Sequence, residues 1–143
     1  MRNANKFDIP ELWEMMLQFR SEAPLSFLQQ IQNKEYFDFL MTRIIAGAGA
    51  IFIEEGKGIL ISLIAPSIWC DKTLLLSELA WYVKPEFRNG TTGYRLIKKY
   101  IEHGKQLKES GRIKAFTIGK MANSPNIKYE KFGFSKLEES WIQ

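Results

Sequence analysis

A strand-like run stops at Val83, Pro85 turns the chain, and Gly90 and Gly93 lead into a long helical pattern that begins at Thr92. The first N–H groups of a helix have no intrahelical acceptor, and that end of the helix is partly positive. A junction of this kind suits phosphate oxygens. Gly90 and Gly93 let a ligand approach the backbone closely, and Arg88 adds a cation. A plain strand-to-helix turn has the same outline, so the loop gains meaning only from its surroundings. The second residue with chemical potential lies upstream. Glu78 interrupts the apolar run Leu74, Leu75, Leu76, Leu79, Ala80, Trp81. A carboxylate in such company is paired, functional, or turned to solvent at a sheet edge. Strict alternation places Glu78, Ala80 and Tyr82 on one face and Leu79, Trp81 and Val83 on the other.

The elements that must position these groups follow from periodicity. Residues 1–7 suit a short first strand. Asp8-Ile9-Pro10-Glu11 predicts a helix start, with Asp8 as cap, proline in the first turn and Glu11 at capping-box spacing. Leu12, Met15, Met16 and Phe19 follow on one face as core. A second helix is predicted from Lys34 to Ala46 and ended by Gly47 and Gly49. Residues 50–55 and 59–65 are β-branched runs joined by Gly56-Lys57-Gly58, a hairpin. Residues 73–83 form a third long strand, 92–108 an amphipathic helix with Tyr94, Ile97, Ile101 and Gly104 on one face, and 113–119 a short strand suited to a parallel sheet. Ser124-Pro125 predicts another short helix, Gly133 its left-handed end, and 134–142 a last strand. The order is β-α-α-β-β-β-α-β-α-β: an α/β fold, one mixed sheet with helices on both faces. No repeat or linker divides residues 1–143, which read as a single domain.

Composition narrows the classes. Of the 143 residues, 45% are hydrophobic and 25% charged, as in an ordinary globular domain. No apolar run is long enough to span a bilayer, and the polar start lacks the hydrophobic segment of a leader, so no membrane is expected. Cys70 is the single cysteine; it excludes an internal disulfide and suits a cytoplasmic chain. His103 is the only histidine and has no neighbour with which to build a metal site, so no metal is expected. The net charge of +4 is uneven: residues 1–83 carry 7 Lys or Arg against 10 Asp or Glu, whereas 84–143 carry 13 against 6. The basic half suits a polyanionic partner (a nucleotide cofactor, a nucleic acid or an acidic surface) or is simply a solvated face.

The run from Val83 to Ile97, V-K-P-E-F-R-N-G-T-T-G-Y-R-L-I, resembles the pyrophosphate-binding motif of the GNAT superfamily of N-acetyltransferases, R/Q-x-x-G-x-G/A after a V-x-P-x-x-R approach. Arg88 matches its first position and Gly93 its last. Downstream, Tyr129-Glu130-Lys131-Phe132-Gly133-Phe134 resembles the family's Y-E-K-x-G-F element, and Asp8-Ile9-Pro10-Glu11-Leu12 resembles the way many members begin. The short tail after Phe134 is similar to the shortened members often encoded by bacteriophages. The chain departs from the pattern at three places. Thr91 stands at the motif's first glycine, Asn123 lies one step after the usual asparagine, and Pro125 stands where alanine is common.

The resemblance implies a GNAT-like, mostly antiparallel mixed sheet and direct transfer of an acetyl group from acetyl-CoA to a primary amine of unnamed identity. It implies cofactor contacts from Trp81, Tyr82, Val83, Arg88, Asn89, Gly90, Thr91, Thr92, Gly93, Tyr94 and Asn123. Glu78 matches a glutamate base, needed because roughly one lysine-like amine in a few thousand is neutral at pH 7. Tyr129 matches the tyrosine that protonates the leaving thiolate, although a core aromatic would occupy the same place. A strand bulge around Trp81 to Val83 is expected to free N–H donors for the thioester oxygen. Glu22 falls where an acceptor amine could meet a carboxylate. A non-catalytic CoA-binding or protein-interaction domain of the same fold is the nearest alternative. A basic nucleic-acid binder is a more distant one, because the aromatics fall at core spacings and no nucleic-acid motif is present. The short last strand leaves room for a homodimer.

Overall fold

The computed structural model describes all residues, Met1–Gln143. Its elements are β1 (Arg2–Asn3), α1 (Ile9–Glu22), α2 (Lys34–Arg43), β2 (Gly49–Glu54), β3 (Gly58–Ser67), β4 (Cys70–Val83), α3 (Thr92–Glu109) and β5 (Ala115–Thr117). The five strands form one sheet in the order β1-β2-β3-β4-β5. The first four run antiparallel, and β5 returns parallel to β4 after α3. The central strands read as continuous apolar runs because both of their faces are covered. Ile51, Ile53, Ile59 and Ile61 pack under Leu12 and Met15 of α1 and Met41 of α2. Ala50, Phe52 and Leu60 pack with Leu96, Tyr100 and Leu107 of α3 on the opposite face.

Several local expectations are corrected. Asp8 precedes α1 but makes no capping bond to it. Its carboxylate instead accepts from Asn5 N–H at 2.7 Å and from the Arg2 guanidinium, which pins β1; the capping box is Asn5 with Asp8, around a 3-10 turn at Lys6–Asp8. Glu11 accepts from Gly56 N–H at 2.6 Å and so fixes the β2–β3 turn. The first strand is therefore two residues long, because the chain coils at once into that turn. α2 ends through one π-helical turn, Ile44–Ala48. Gly47 stops it at φ 120°, a conformation disfavoured for L side chains.

The predicted last helix and last strand do not form. From Ser124 the chain makes tight turns, Ile127 N–H to Pro125 O and Tyr129 N–H to Ile127 O, which are incompatible with an α-helical ladder. Only a 3-10 turn, Tyr129–Phe132, follows, and Gly133 ends it with φ 88°. Residues 134–143 join no ladder. β5 offers an edge of three residues, and the Phe134 ring packs on Phe116 at 5.6 Å in place of strand pairing. The observed order is β-α-α-β-β-β-α-β.

Alternation along β4 is also broken. Ile61 pairs with Ala80 but Ser62 pairs with Glu78, so Leu79 is the extra residue of a bulge. The bulge reverses the facing of everything before it. Ala80 and Tyr82 lie with α1 and α2, whereas Glu78 shares the α3 face with Leu76. The expectation that Glu78, Ala80 and Tyr82 share a face is overturned, and the bulge lies earlier than Trp81 to Val83.

Candidate active site

β4 and β5 pair only from Leu75–Ala115 to Ser77–Thr117 and then part. Tyr100, fully buried on α3, stands at the fork: its hydroxyl donates to Thr117 O at 2.5 Å and reaches Leu76 O at 3.4 Å. Beyond it the β5 side of β4, from Glu78 to Val83, has no strand partner. The opening is a cleft of about 730 Å³ lined by β4, the loop after it, the start of α3 and the 119–132 segment.

At one end lies the N-terminus of α3. Thr91 precedes it without a side-chain cap, and the first bond closing the helix is Arg95 N–H to Thr91 O. The N–H groups of Thr91, Thr92, Gly93 and Tyr94 therefore have no acceptor in the chain. A side chain at Gly93 would meet Trp81 and Val83 at 3.7 Å, so glycine there keeps the cleft wall low. Thr92 is buried, its methyl group against Gly58. The Trp81 Nε1 atom is buried without a partner.

At the fork, Glu78 is half-buried, and its Oε2 accepts from Gly119 N–H at 3.0 Å. Burial raises its pKa above the ordinary carboxylate value, and the Gly119 bond opposes the rise. Tyr129 lines the same cleft with a phenol that has no hydrogen-bond partner. Burial and the negative charge of Glu78 raise its pKa, so it is protonated at neutral pH. Burial, and after it the Glu78 charge, raises the Tyr100 pKa in the same direction.

The far rim is closed by a cluster that sequence reasoning did not assemble. Glu22, at the end of α1, accepts from the Tyr82 hydroxyl at 2.9 Å and from Arg88 Nη2 at 2.6 Å. Arg88 also donates from Nε to Val83 O at 2.8 Å and lies over the Tyr82 ring. Asn123 Nδ2 donates to Glu22 O at 2.7 Å. Burial and the Glu22 carboxylate push the Tyr82 pKa up to about 12. Glu22 is thus engaged by the protein itself through both carboxylate oxygens.

Of the residues singled out from sequence, Glu78, Trp81, Tyr82, Val83, Arg88, Gly90, Gly93, Tyr94, Asn123 and Tyr129 line the cleft. Asn89, Thr91 and Thr92 do not, although the last two contribute free backbone donors. Ile97, Gly119, Met121 and Phe132 also line the cleft and were not anticipated as site residues; neither was Tyr100. Only the helical spacing of Tyr100 was readable, and that signals core rather than position at a fork. No group of three or more His, Cys, Asp or Glu could hold a metal ion, and no helix is long and apolar enough to cross a membrane.

No protein-family model matches the chain, and no curated protein sequence does. Solved structures do. A predicted acetyltransferase from Clostridium acetobutylicum, solved with acetyl-CoA, aligns with a TM-score of 0.71 at 16% identity, over 99% of this chain and 92% of that one. An acetyltransferase from Trypanosoma brucei aligns at 0.67 and 16% identity, over 99% and 96%. An aminoglycoside acetyltransferase from an uncultured soil metagenomic sample, in complex with sisomicin, aligns at 0.65 and 13% identity, over 99% and 91%. The fold expected from the two sequence motifs, the GNAT fold, is the fold these structures share with the chain.

Proposed function

We propose that the chain is an N-acetyltransferase that moves the acetyl group of acetyl-CoA directly to an amine. The observation that carries this reading is the fork between β4 and β5, which opens beside Glu78 and leads to the unpaired N–H groups at the start of α3. Those N–H groups suit a pyrophosphate, and Gly93 with Trp81 and Val83 forms the wall along which the rest of the donor would lie. Acetyl-CoA supplies an activated acyl carbon when bound.

The residues divide the work. Glu78 takes a proton from the attacking amine, and its raised pKa brings it closer to the pH at which it works. The unpaired edge of β4 after the Leu79 bulge offers backbone dipoles to the thioester oxygen. The C–N bond forms as the C–S bond breaks, and Tyr129 gives the departing sulfur its proton. Solvent returns the proton held on Glu78 to Tyr129, so the products are an amide and free CoA thiol. Arg88 closes the rim through Nη2 on Glu22 and Nε on Val83 O, which leaves Nη1 for a phosphate oxygen. We place the enzyme in the cytoplasm, where its exposed Cys70 stays reduced. The outer edge of β5 has no partner strand, and a homodimer would use it.

Calorimetric titration with acetyl-CoA tests the reading. Binding should occur and be lost in Gly93→Glu, whose side chain has room to enter the cleft and repels phosphate. No binding at any salt concentration overturns the proposal. Binding without transfer to any amine would identify a non-catalytic CoA-binding domain.

A further inference from the structure

Beside the cleft, on the α1 and α2 side of the sheet, lies a second hollow of about 280 Å³. Nine of its ten lining residues are hydrophobic, among them Trp13, Met16, Leu17 and Leu28. Phe19 and Met121 line both this hollow and the cleft. The two spaces are tied through the backbone as well, since Met121 lies two residues after Gly119, whose N–H holds Glu78. Resting on the acetyltransferase reading, we infer that the acceptor is a monoamine with an aromatic or branched aliphatic group, which seats in this hollow while its nitrogen reaches Glu78.

The charges select against polycations. No carboxylate lines the hollow, and its one charged residue is Arg20, a cation whose Nη1 donates to Ile31 O at 2.7 Å. The cleft adds two carboxylates, Glu22 and Glu78. Glu22 is already held by Arg88 and the Tyr82 hydroxyl. A second or third ammonium group of a polyamine or an aminosugar therefore meets no free anion, whereas an apolar group leaves water for a wall of like character. The side of the sheet assigns the hollow to acceptor rather than donor. The phosphate-binding groups and Glu78 lie on the α3 face and at the fork, and the hollow lies on the other face. A nucleophile from that face meets the acyl carbon at the fork.

The test uses the full chain with acetyl-CoA and follows release of CoA thiol. Phenethylamine and isopentylamine should give a kcat/KM at least about tenfold above methylamine, spermidine and kanamycin, the range set by apolar groups in a fitted pocket. Leu17→Gln should raise KM for phenethylamine by about the same factor and leave KM for acetyl-CoA unchanged, while Leu17→Met stays near wild type. Preference for spermidine or kanamycin, or equal use of methylamine, overturns the inference. So does preference for hexanoyl-CoA over acetyl-CoA without discrimination among amines, which gives the hollow to the acyl chain. If no amine is acetylated, calorimetry of phenethylamine into the protein–CoA complex decides: binding that spermidine does not share supports it, and no binding overturns it. Failure to bind acetyl-CoA at all is a separate result and removes the parent reading itself.

Discussion

The two halves of β4 do different work. From Leu75 to Ser77 the strand is hydrogen-bonded on both edges, to β3 and to β5. Leu76 there is fully buried, and α3 crosses so closely that Gly104 lies against the Phe116 ring. From Glu78 onward the strand keeps β3 but loses β5, and the Leu79 bulge marks the change. The closed half buries apolar groups; the open half carries a carboxylate with a raised pKa, a buried indole nitrogen without partner and an unpaired backbone edge. The chemistry is thus confined to one half of the strand, although Ala80 and Tyr82 of that half are also buried against α1 and α2. A substitution in one half should show itself in a different observable from a substitution in the other.

The largest effect is expected in the open half. Glu78→Gln keeps the shape and an acceptor for Gly119 N–H but removes the base, so kcat should fall by about 10²–10⁴-fold with little change in acetyl-CoA affinity. Steady-state rates beside a calorimetric titration check this, and unchanged kcat would remove Glu78 from the mechanism. The closed half should answer in stability. At Gly104 an added Cβ would lie 2.6 Å from the Phe116 ring. That ring is held edge-on between Tyr100 and Phe134, which resists its displacement. Overpacking of about 1–3 kcal/mol outweighs the gain of about 1 kcal/mol that alanine brings to a helix. Gly104→Ala should lower the urea midpoint while the folded fraction still binds acetyl-CoA; a higher midpoint would show that Phe116 yields.

Tyr100→Phe strikes the boundary between the halves. It removes the hydroxyl that donates to Thr117 O and leaves that carbonyl short of a partner, at a cost of about 1 kcal/mol. If the hydroxyl sets the fork, kcat falls while KM for acetyl-CoA holds, and the pH profile of kcat shifts as Glu78 loses its neighbour. If it only fills space, stability falls and the profile stays.

The same division governs what could be read from residues alone. α1, α2, the β2–β3 hairpin and α3 declare themselves by period and by Gly or Pro punctuation, because each buries one continuous stripe or run. The loop before α3 was visible because phosphate binding asks for glycine and a helix start, which are local features. Leu79 was invisible, since a bulge depends on the register against Ser62 and leaves no composition of its own. Missing it put Glu78 on the wrong face. The Glu22, Arg88, Tyr82 and Asn123 cluster joins residues up to 101 positions apart, which no local spacing encodes. The last helix and strand were read from Ser-Pro and a β-like run. The strand fails because β5 offers an edge of only three residues, and the helix because the turns after Ser124 close too tightly for an α-helical ladder.

The smallest expected effect isolates the Glu78 charge from its catalytic use. Its folded-state pKa lies above the ordinary value of 4.5 because burial disfavours the anion. A carboxyl shifted this way binds its proton more tightly when folded, so the native state loses stability as pH rises from the ordinary value through the raised one. Glu78→Gln carries no charge and escapes that loss. The stability difference between variant and wild type should be least below about pH 4, move in the variant's favour as pH rises, and level off once Glu78 is ionised in both states. Asp8 moves the opposite way, its pKa lowered first by Arg2, so its stabilisation fades as pH falls. Both proteins share Asp8, so its contribution cancels in the comparison. Urea midpoints at several pH values check the curve. A difference that is flat across the range would mean that the Glu78 carboxylate is as well solvated folded as unfolded, and the open half of β4 would lose the feature that sets it apart from the closed one.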